Sequence, residues 1–204
     1  MAQRLLLLGD SRSGNCYKVQ LLCAELGIDY EWREVDILAG DTRTPGFLRL
    51  NPNGKIPLLV IDGRLCLPES NAILSYLAEG RVLAGATRFA RAEILAWMFF
   101  EQYSHEPYIA TSRFIMKYLG NPPERRADLE ARREPGERAL AIMEQRLERH
   151  PYIAGVDYSL ADIALFAYTH IADEGGFDLS GYPAIGKWIE RVRARPRFVP
   201  MQAP

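Results

Sequence analysis

Hydrophobic positions early in the chain alternate between the spacing of strands and the spacing of helices. Arg4 is followed by four leucines, a short apolar run that predicts a buried strand. Between residues 16 and 26, apolar side chains recur at helical spacing, which predicts a helix with Gly27 at its C-cap. Residues 30–36 are rich in aromatic and β-branched side chains. They predict a second strand, parallel to the first because a helix connects the two.

A hairpin and another helix are predicted next. Residues 58–61 and 64–67 are short apolar runs joined by Asp62-Gly63, a dipeptide preferred in two-residue hairpin turns, so these strands should pair antiparallel. Residues 69–79 carry apolar side chains on one helical face, with a proline just before and a glycine just after, as at helix boundaries. Residues 40–50 give no clear pattern. The order of elements predicts an α/β fold with a mixed four-stranded sheet.

The pattern after residue 88 is helical throughout, with no convincing strand. A short polar link at residues 81–87 predicts a boundary between an α/β domain, residues 1–80, and an all-helical bundle domain, residues 88–204. The first long helix is expected to kink at Pro107, because proline interrupts helical hydrogen bonding. The predicted helices span residues 88–118, 129–149 and 184–193, and a further helix opens at Ser159-Leu160-Ala161-Asp162, a capping-box arrangement.

Composition narrows the possible partners. Of the 204 residues, 48% are hydrophobic and 25% are charged, which is the balance of an ordinary globular protein. A formal net charge of −1 argues against nucleic-acid binding, which relies on excess Lys and Arg. The leading leucine run is too short for a secretory segment, and no stretch reaches the roughly 18 apolar residues of a membrane span. We therefore expect a cytoplasmic protein without a membrane partner.

Cysteine and histidine usage suggests neither a metal site nor a disulfide framework. The three cysteines and three histidines are isolated along the chain, without the pairing that metal ligands show. Ser13 stands just before the first predicted helix, where free N–H groups and the helix dipole favour a negative charge. Serine is also a common simple N-cap at such a position. Ser11 lies in the same turn and is an alternative that the sequence does not separate from Ser13.

Four motifs together resemble one known family. They are Ser13-Gly14-Asn15-Cys16, the run from Asn51 to Pro57 (NPNGKIP), Pro68-Glu69-Ser70, and the capping box at Ser159. This chain resembles the glutathione transferases, specifically the bacterial serine-type branch close to the theta and nu classes, almost from end to end. The resemblance implies a thioredoxin-like N-terminal domain that binds glutathione and a helical domain that contacts a small hydrophobic electrophile. It also implies a homodimer, glutathione as cosubstrate and no metal.

Within this resemblance, Ser13 takes the place of the catalytic hydroxyl. A free thiol, with a pKa of about 8.5, is only a few per cent ionised at neutral pH, so a hydroxyl that donates to sulfur favours the thiolate. Asn15 resembles a second donor used in the branch with glutathione-dependent disulfide reductase activity; its equally common alternative is a turn residue. We do not expect Cys16 to be a nucleophile, because the serine-type pattern carries an inward-packing cysteine at this position.

The remaining motifs are expected to hold the rest of glutathione. Pro57 is expected to be cis, so that Ile56 contacts the cysteinyl part through its backbone. Lys55 is placed to meet the glycine carboxylate, although alone it reads as a solvated charge. Glu69 and Ser70 suit the ammonium and carboxylate of the γ-glutamyl end, although an acidic residue there is also ordinary helix capping. The predicted glutathione contacts are Ser13, Thr42, Lys55, Ile56, Pro57, Glu69 and Ser70.

The helical half says less about chemistry. Tyr103, Tyr108 and Phe114 lie on its first long helix and are predicted to line the electrophile pocket, although such aromatics are more often core or dimer contacts. The predicted activity is attack by glutathione thiolate on a small hydrophobic electrophile. Two alternatives remain open: a glutathione-dependent disulfide reductase or peroxidase, and a non-catalytic interaction protein on the same fold.

Overall fold

The computed structural model describes residues 3–201 and divides into two compact units. The first unit runs to Glu79 and also takes in the segment that begins at Arg197, and the second is Gly80–Pro196. Among the residues described, no helix is long and apolar enough to cross a membrane.

The first unit is built on a four-stranded sheet with the order β2-β1-β3-β4. β1 and β2 are parallel, whereas β3 pairs antiparallel with both β1 and β4. The predicted mixed four-stranded sheet is therefore confirmed. The elements are β1 (Leu5–Gly9), α1 (Gly14–Leu26), β2 (Glu31–Glu34), α2 (Pro45–Leu50), β3 (Leu58–Ile61), β4 (Leu65–Pro68) and α3 (Ser70–Leu77).

Both faces of this sheet are buried. Leu7 packs in one cluster with Val19 of α1 and Ile73 of α3, while Leu8 packs in another with Phe47 of α2. Successive side chains of a strand point to opposite faces, so neighbouring leucines of β1 serve two different cores. This explains why the first strand reads as an unbroken leucine run rather than as alternating apolar and polar residues.

The strand register brings three segment ends to one edge of the sheet. Leu8 lies opposite Leu58, and Leu58 lies opposite Pro68 on its other side. β1 passes through this row and leads into the turn before α1. β3 begins at the row, and β4 ends there, just before α3. The motifs that stand far apart in the sequence therefore meet at a single edge.

The segment that gave no clear pattern contains a short helix. The α2 helix starts with Pro45 at its first position, and the Thr44 side chain accepts a hydrogen bond from the Phe47 N–H at 3.3 Å. A 3₁₀ turn, Asp41–Arg43, precedes it. Threonine followed by proline is a helix-start signal, but the helix has only six residues and buries little beyond Phe47.

The second unit is all-helical, as predicted, and its first long helix is interrupted. A wider π-helical turn, Glu101–His105, separates α4 from α5, and Pro107 is the second residue of α5. Proline lacks an N–H and is tolerated in a first helical turn, so the irregular turn falls just before it. The helices are α4 (Arg88–Phe100), α5 (Glu106–Arg113), α6 (Arg126–Leu147), α7 (Leu160–Thr169) and α8 (Pro183–Arg193).

The core of the second unit is organised around the buried α7 helix. The predicted capping box is present: the Ser159 N–H donates to Asp162 Oδ2 at 2.9 Å, and its hydroxyl donates to the same oxygen at 3.1 Å. Asp162 Oδ1 accepts from the Ile153 N–H at 2.8 Å and from Trp188 Nε1 at 2.9 Å. Burial raises the pKa of Asp162 to about 6, against the effect of these hydrogen bonds. One carboxylate thus ties α7, α8 and a preceding loop together.

The end of the chain departs from the predicted domain assignment. The sequence analysis assigned residues 88–204 to the helical domain, but the segment from Arg197 belongs with the first unit. The buried Tyr17 of α1 donates its hydroxyl to the Val199 carbonyl at 2.7 Å, and Arg197 donates to the Glu25 carbonyl at 3.4 Å. A buried phenol needs an acceptor, and a distant part of the chain supplies it.

Candidate functional site

Ser13 is the N-cap of α1 and is nearly buried, with 9% of its surface exposed. Its backbone is extended, and its hydroxyl oxygen accepts a long hydrogen bond from the Cys16 N–H at 3.4 Å. The first turn of α1 contains no acidic residue. The positive end of this helix is therefore not balanced by a carboxylate of its own first turn, and it favours an anion beside Ser13.

The turn that leads to Ser13 is held by an ion pair between Asp10 and the partly exposed Arg12, which the sequence analysis missed. Asp10 is fully buried, and Arg12 meets it with two hydrogen bonds, Nη2 to Oδ2 at 2.7 Å and Nε to Oδ1 at 3.0 Å. The Ser13 N–H donates to the Asp10 carbonyl at 3.0 Å. A Cβ on Gly9 would lie 2.7 Å from the Cys16 sulfur. This turn is fixed by packing and charge together.

Ser11, the alternative to Ser13 for the catalytic role, is hydrogen-bonded to a different residue, Glu34. Its backbone N–H and its hydroxyl both donate to Glu34 Oε1, at 2.8 and 3.2 Å. The other oxygen of Glu34 accepts from Trp32 Nε1 at 2.8 Å. The Ser11 hydroxyl proton is thus already given to a carboxylate, whereas Ser13 stands at the helix start.

Cys16 is packed inside the first unit and is fully buried. Burial raises its pKa to about 12, even though a hydrogen bond with the Ser13 side chain acts in the opposite direction. Only the thiolate is nucleophilic, so Cys16 is a protonated, inert thiol at neutral pH. This agrees with its sequence interpretation as an inward-packing residue.

A chain of hydrogen bonds links the starts of α1 and α3. Lys18 of α1 is fully buried, and its ammonium donates to the Ser70 hydroxyl oxygen at 3.3 Å. Ser70 donates its own proton to Asn15 Oδ1 at 3.1 Å. Since an ammonium can only donate, these contacts fix the direction of the chain and the orientation of the Asn15 amide. Asn15 and Ser70, two predicted site residues, are therefore in contact.

The start of α3 has unusual backbone geometry. Glu69 directly precedes the helix with a φ of 72°, a left-handed value that costs a non-glycine residue about 1–3 kcal/mol. Its side chain makes no capping hydrogen bond, and the first turn of α3 contains no acidic residue. Ser70 is the first residue of α3 and is buried. The helix begins one residue later than predicted, and its N–H groups face the same sheet edge as Ser13.

The loop before β3 is organised by Asn51, which the sequence analysis quoted in a motif but gave no role. Asn51 is buried; its amide donates to the Lys55 carbonyl at 2.7 Å, and its side-chain oxygen accepts from the Asn53 N–H at 3.1 Å. The Ile56–Pro57 peptide bond is cis, as the resemblance implied. Lys55 is exposed. The residues expected to contact glutathione are thus presented by a loop that an internal amide holds together.

Thr42 lies against this loop. It is buried in the 3₁₀ turn Asp41–Arg43. Gly54 has a φ of 61°, and a Cβ there would lie 3.1 Å from the Thr42 carbonyl oxygen and 2.5 Å from Arg43 Nη1. The close approach requires glycine, since a side chain would displace the turn. Gly54, the residue before Lys55, thus lies close to the turn that contains Thr42.

The three aromatic residues predicted for the electrophile pocket differ in exposure. Tyr108 and Phe114 are half-buried, and the Phe114 ring lies 5.1 Å from the Tyr118 ring at an angle of 31°. Tyr103 is 84% exposed. It follows Leu95, which is 43% exposed, and Phe99, which is 70% exposed, at intervals of four residues. Leu95, Phe99 and Tyr103 therefore form an exposed apolar face, Leu95-Phe99-Tyr103.

Comparison with known proteins identifies the family. A model of the N-terminal domain of glutathione S-transferases matches residues 12–79, and a model of the C-terminal domain matches residues 95–196. Disulfide-bond oxidoreductase YfcG of Escherichia coli K12 is 35% identical over 190 residues, covering 89% of this chain and 87% of YfcG. The chain belongs to the glutathione S-transferase family.

Solved structures agree with this assignment. A glutathione S-transferase from Pseudomonas fluorescens Pf-5 is 55% identical with a TM-score of 0.95, covering 98% of this chain and 99% of that one. A second family member from the same strain, solved with two glutathione bound, is 28% identical with a TM-score of 0.81, covering 95% and 90%. The predicted family and fold class are confirmed.

Proposed function

We propose that this glutathione transferase conjugates glutathione to small hydrophobic electrophiles, with the Ser13 hydroxyl stabilising the glutathione thiolate. The observation that carries the assignment is the position of Ser13: at the start of α1, nearly buried, on the sheet edge that it shares with Pro57 and Ser70. The family match supports transferase activity.

The physical basis is stabilisation of a charge that the free peptide does not carry at neutral pH. Each unit by which the thiol pKa falls corresponds to about 1.4 kcal/mol in favour of the thiolate. The helix start of α1 supplies positive potential. The Ser13 hydroxyl supplies a donor, and its hydrogen bond becomes stronger when the sulfur is ionised. The thiolate then attacks the electrophilic carbon of the second substrate and displaces its leaving group.

The rest of glutathione would bind along the same edge. The Ile56 backbone would pair with the cysteinyl part, and Glu69 and Ser70 would take the ammonium and carboxylate of the γ-glutamyl end. Lys55, and Thr42 in the turn that approaches Gly54, would hold the glycyl end. The relative from Pseudomonas fluorescens that contains glutathione supports this cosubstrate.

Paired serine variants test the assignment. Ser13→Ala is expected to raise the pKa of bound glutathione by about one unit and to lower kcat roughly tenfold to a hundredfold, with a smaller change in glutathione affinity. The thiolate is followed by its ultraviolet absorbance across pH. Ser11→Ala is the matched control, because its hydroxyl is bound to Glu34, and we expect near wild-type values. Full activity in Ser13→Ala, with loss in Ser11→Ala, would move the role to Ser11.

A second activity, reduction of disulfides by glutathione, is favoured by one relative and one contact. YfcG is named as a disulfide-bond oxidoreductase, and the Asn15 amide is oriented by Ser70. In this reaction the bound thiolate attacks a disulfide, a thiol leaves, and a second glutathione resolves the mixed disulfide to give oxidised glutathione. Turnover of a mixed disulfide compared with an aryl halide, at equal glutathione concentration, distinguishes the two activities.

We also propose a homodimer in the cytoplasm. The exposed apolar face Leu95-Phe99-Tyr103 supports the dimer, since a second copy would remove these side chains from water. A solution mass near that of one chain would contradict it.

If purified protein fails to bind glutathione at all, the family fold has been kept for interaction with other proteins instead.

A further inference from the structure

Carboxylates lie close to the turn that carries Ser13, although the proposed reaction places a negative sulfur there. Asp10 begins this turn and is fully buried. The charges of Asp10 and Glu34 both raise the pKa of Cys16, which lies in the first turn of α1, so their negative potential reaches the helix start. Like charges at short distance disfavour each other. A thiolate beside Ser13 therefore needs a group that offsets these carboxylates.

Arg12 is a cation within this turn. Its guanidinium donates to both oxygens of Asp10, Nη2 to Oδ2 at 2.7 Å and Nε to Oδ1 at 3.0 Å, and its backbone N–H donates to Oδ1 at 2.9 Å. Nη2 also lies 3.8 Å from Asp36 Oδ1. The Arg12 side chain is 30% exposed, so water screens its charge only in part. Arginine side chains stay protonated over the pH range in which thiols ionise, so this positive charge is constant there.

The same pair fixes the position of Ser13. The Ser13 N–H donates to the Asp10 carbonyl at 3.0 Å, which closes a β-turn over residues 10–13 and holds its ends within about 7 Å of each other. That distance is shorter than the Debye length of about 8 Å at physiological ionic strength. A change in charge at Asp10 or Arg12 is therefore felt at Ser13.

The other ionisable groups at this turn differ from Arg12 in charge or direction. Glu34 and Asp36 are acidic, and burial keeps Cys16 neutral by raising its pKa to about 12. The ammonium of Lys18 reaches the start of α3. Arg12, by contrast, contacts two carboxylates of the turn directly.

We propose that Arg12 is a positioning residue for the glutathione thiolate: paired with Asp10, it holds the turn that carries Ser13 and offsets the negative charge of the neighbouring carboxylates. This rests on the proposed function, since it assumes that the sulfur lies beside Ser13. Arg12 takes no part in bond formation. Because the two charges of the pair have opposite signs, removing one member should affect the sulfur in the opposite direction from removing the other.

Charge-changing variants of the pair test this role, with ionisation of bound glutathione followed by ultraviolet absorbance across pH. Arg12→Gln removes the cation, so we expect the pKa of the bound thiol to rise by about one unit. Asp10→Asn removes the anion and should lower this pKa by about half a unit. The double variant, and Arg12→Lys, which keeps the charge, should both stay within about 0.3 units of wild type.

Two controls accompany these variants. Arg138→Gln removes an exposed arginine of the helical unit that is paired with Glu134, and it should leave the pKa of the bound thiol at the wild-type value. Urea denaturation without ligand checks folding, because Arg12→Gln leaves a buried carboxylate without its guanidinium. If Arg12→Gln does not fold, Asp10→Asn and the double variant still decide, since an offset of charge requires a lower pKa in the first and its return in the second.

The outcomes separate this inference from the proposed function. Opposite changes in the two single variants, with recovery in the double variant, support the proposal. If both single variants raise the pKa, or if folded Asp10→Asn leaves it unchanged, the role of Arg12 is overturned, because a merely structural defect has no dependence on the sign of the charge. If wild type binds no glutathione, or binds it with the pKa of the free peptide, the proposed function fails and this inference fails with it. A normal wild-type pKa that rises in Ser13→Ala but ignores the pair refutes Arg12 alone.

Discussion

Two helix starts in the helical unit, those of α7 and α8, differ in their capping groups from the starts of α1 and α3 in the sheet unit. In the helical unit, α7 begins on the carboxylate of Asp162, and α8 begins on the carboxylate of Glu144, which accepts from the Ala184 and Ile185 N–H groups at 2.8 and 2.9 Å. In the sheet unit, α1 begins on the neutral Ser13, and α3 begins without a side-chain cap.

The difference separates helix ends that serve folding from helix ends that serve binding. A buried carboxylate satisfies the free N–H groups and the helix dipole permanently. A helix end without one keeps its capacity to bind an anion from outside. Of these four helix starts, α1 and α3 are therefore the ones that fit the proposed binding of glutathione, even though all four look ordinary when their sequences are read one by one.

The largest expected effect on stability comes from replacing the Asp162 carboxylate at the start of α7. Asp162→Asn keeps the shape but turns an NH₂ group towards at least one of the donors, so we expect a loss of about 3 kcal/mol in the free energy of unfolding. Asp157→Asn, an exposed site with the same change in charge, should cost less than about 0.5 kcal/mol. Both are measured by urea denaturation.

Glutathione affinity of the remaining folded protein should be the same in both variants. If Asp162→Asn were as stable as wild type, or if it weakened glutathione binding without loss of stability, the folding role of this helix end would be refuted.

The opposite end of α7 gives a smaller, pH-dependent effect. His170 follows the last turn, its ring stacks on Phe166 at 4.4 Å, and burial with nearby Arg193 and Arg113 lowers its pKa to about 4. The unfolded chain, with a pKa of about 6.5, binds the proton first as pH falls. Stability due to neutral His170 is therefore complete above pH 6.5 and is lost progressively down to pH 4.

Comparison with His170→Asn isolates the contribution of His170 to the pH dependence of the free energy of unfolding. Between pH 7 and pH 5, wild type should lose about 1–2 kcal/mol relative to the variant. The raised pKa of Asp162 acts in the opposite direction but is common to both proteins, so it cancels in the difference. Parallel stability curves for the two proteins over this range would show that His170 is not protected from protonation.

The smallest effect, and the sharpest for the comparison, comes from giving α3 an acid of its own. Ala72 is exposed at the third position of α3. Ala72→Glu should stabilise the protein by about 0.5 kcal/mol through the helix dipole and should weaken glutathione binding about threefold by competing with its carboxylate. Ala72→Gln is the control without charge. Equal glutathione affinity in the two variants would argue against a carboxylate site at this helix start.

Much of the fold could be predicted because its signals are local. Gly27 closes α1 in the left-handed conformation, with a φ of 65°. Asp62 and Gly63 turn the chain between β3 and β4 with φ values of 52° and 68°, although the turn also includes Arg64 and is one residue longer than predicted. Each depends on a residue and its immediate neighbours. The structure confirms the predicted sheet and the comparisons confirm the predicted family, whereas the roles assigned to individual site residues stay predictions.

What escaped prediction depends on contacts between distant segments. Lys18 is a charged residue in the sequence with no sign of burial, yet it is fully buried and its ammonium donates to Ser70 of α3. Asn51 could be found only as part of a motif, because its partner is the carbonyl of Lys55 rather than a neighbouring side chain. Ser11 and Ser13 became distinguishable once Glu34, on the neighbouring strand, was seen to bind Ser11.

The hydrogen bond from the Tyr17 hydroxyl to the Val199 carbonyl has a consequence for synthesis on the ribosome. Its two residues are 182 positions apart, so at about 5–20 residues per second the hydroxyl waits roughly 10 to 40 s for its acceptor. The helical unit, which is continuous, emerges complete within that interval. The unit that is made first is therefore the last to be finished, and a fragment cut off after Glu79 would contain all four strands but lack the segment whose Val199 carbonyl accepts from Tyr17.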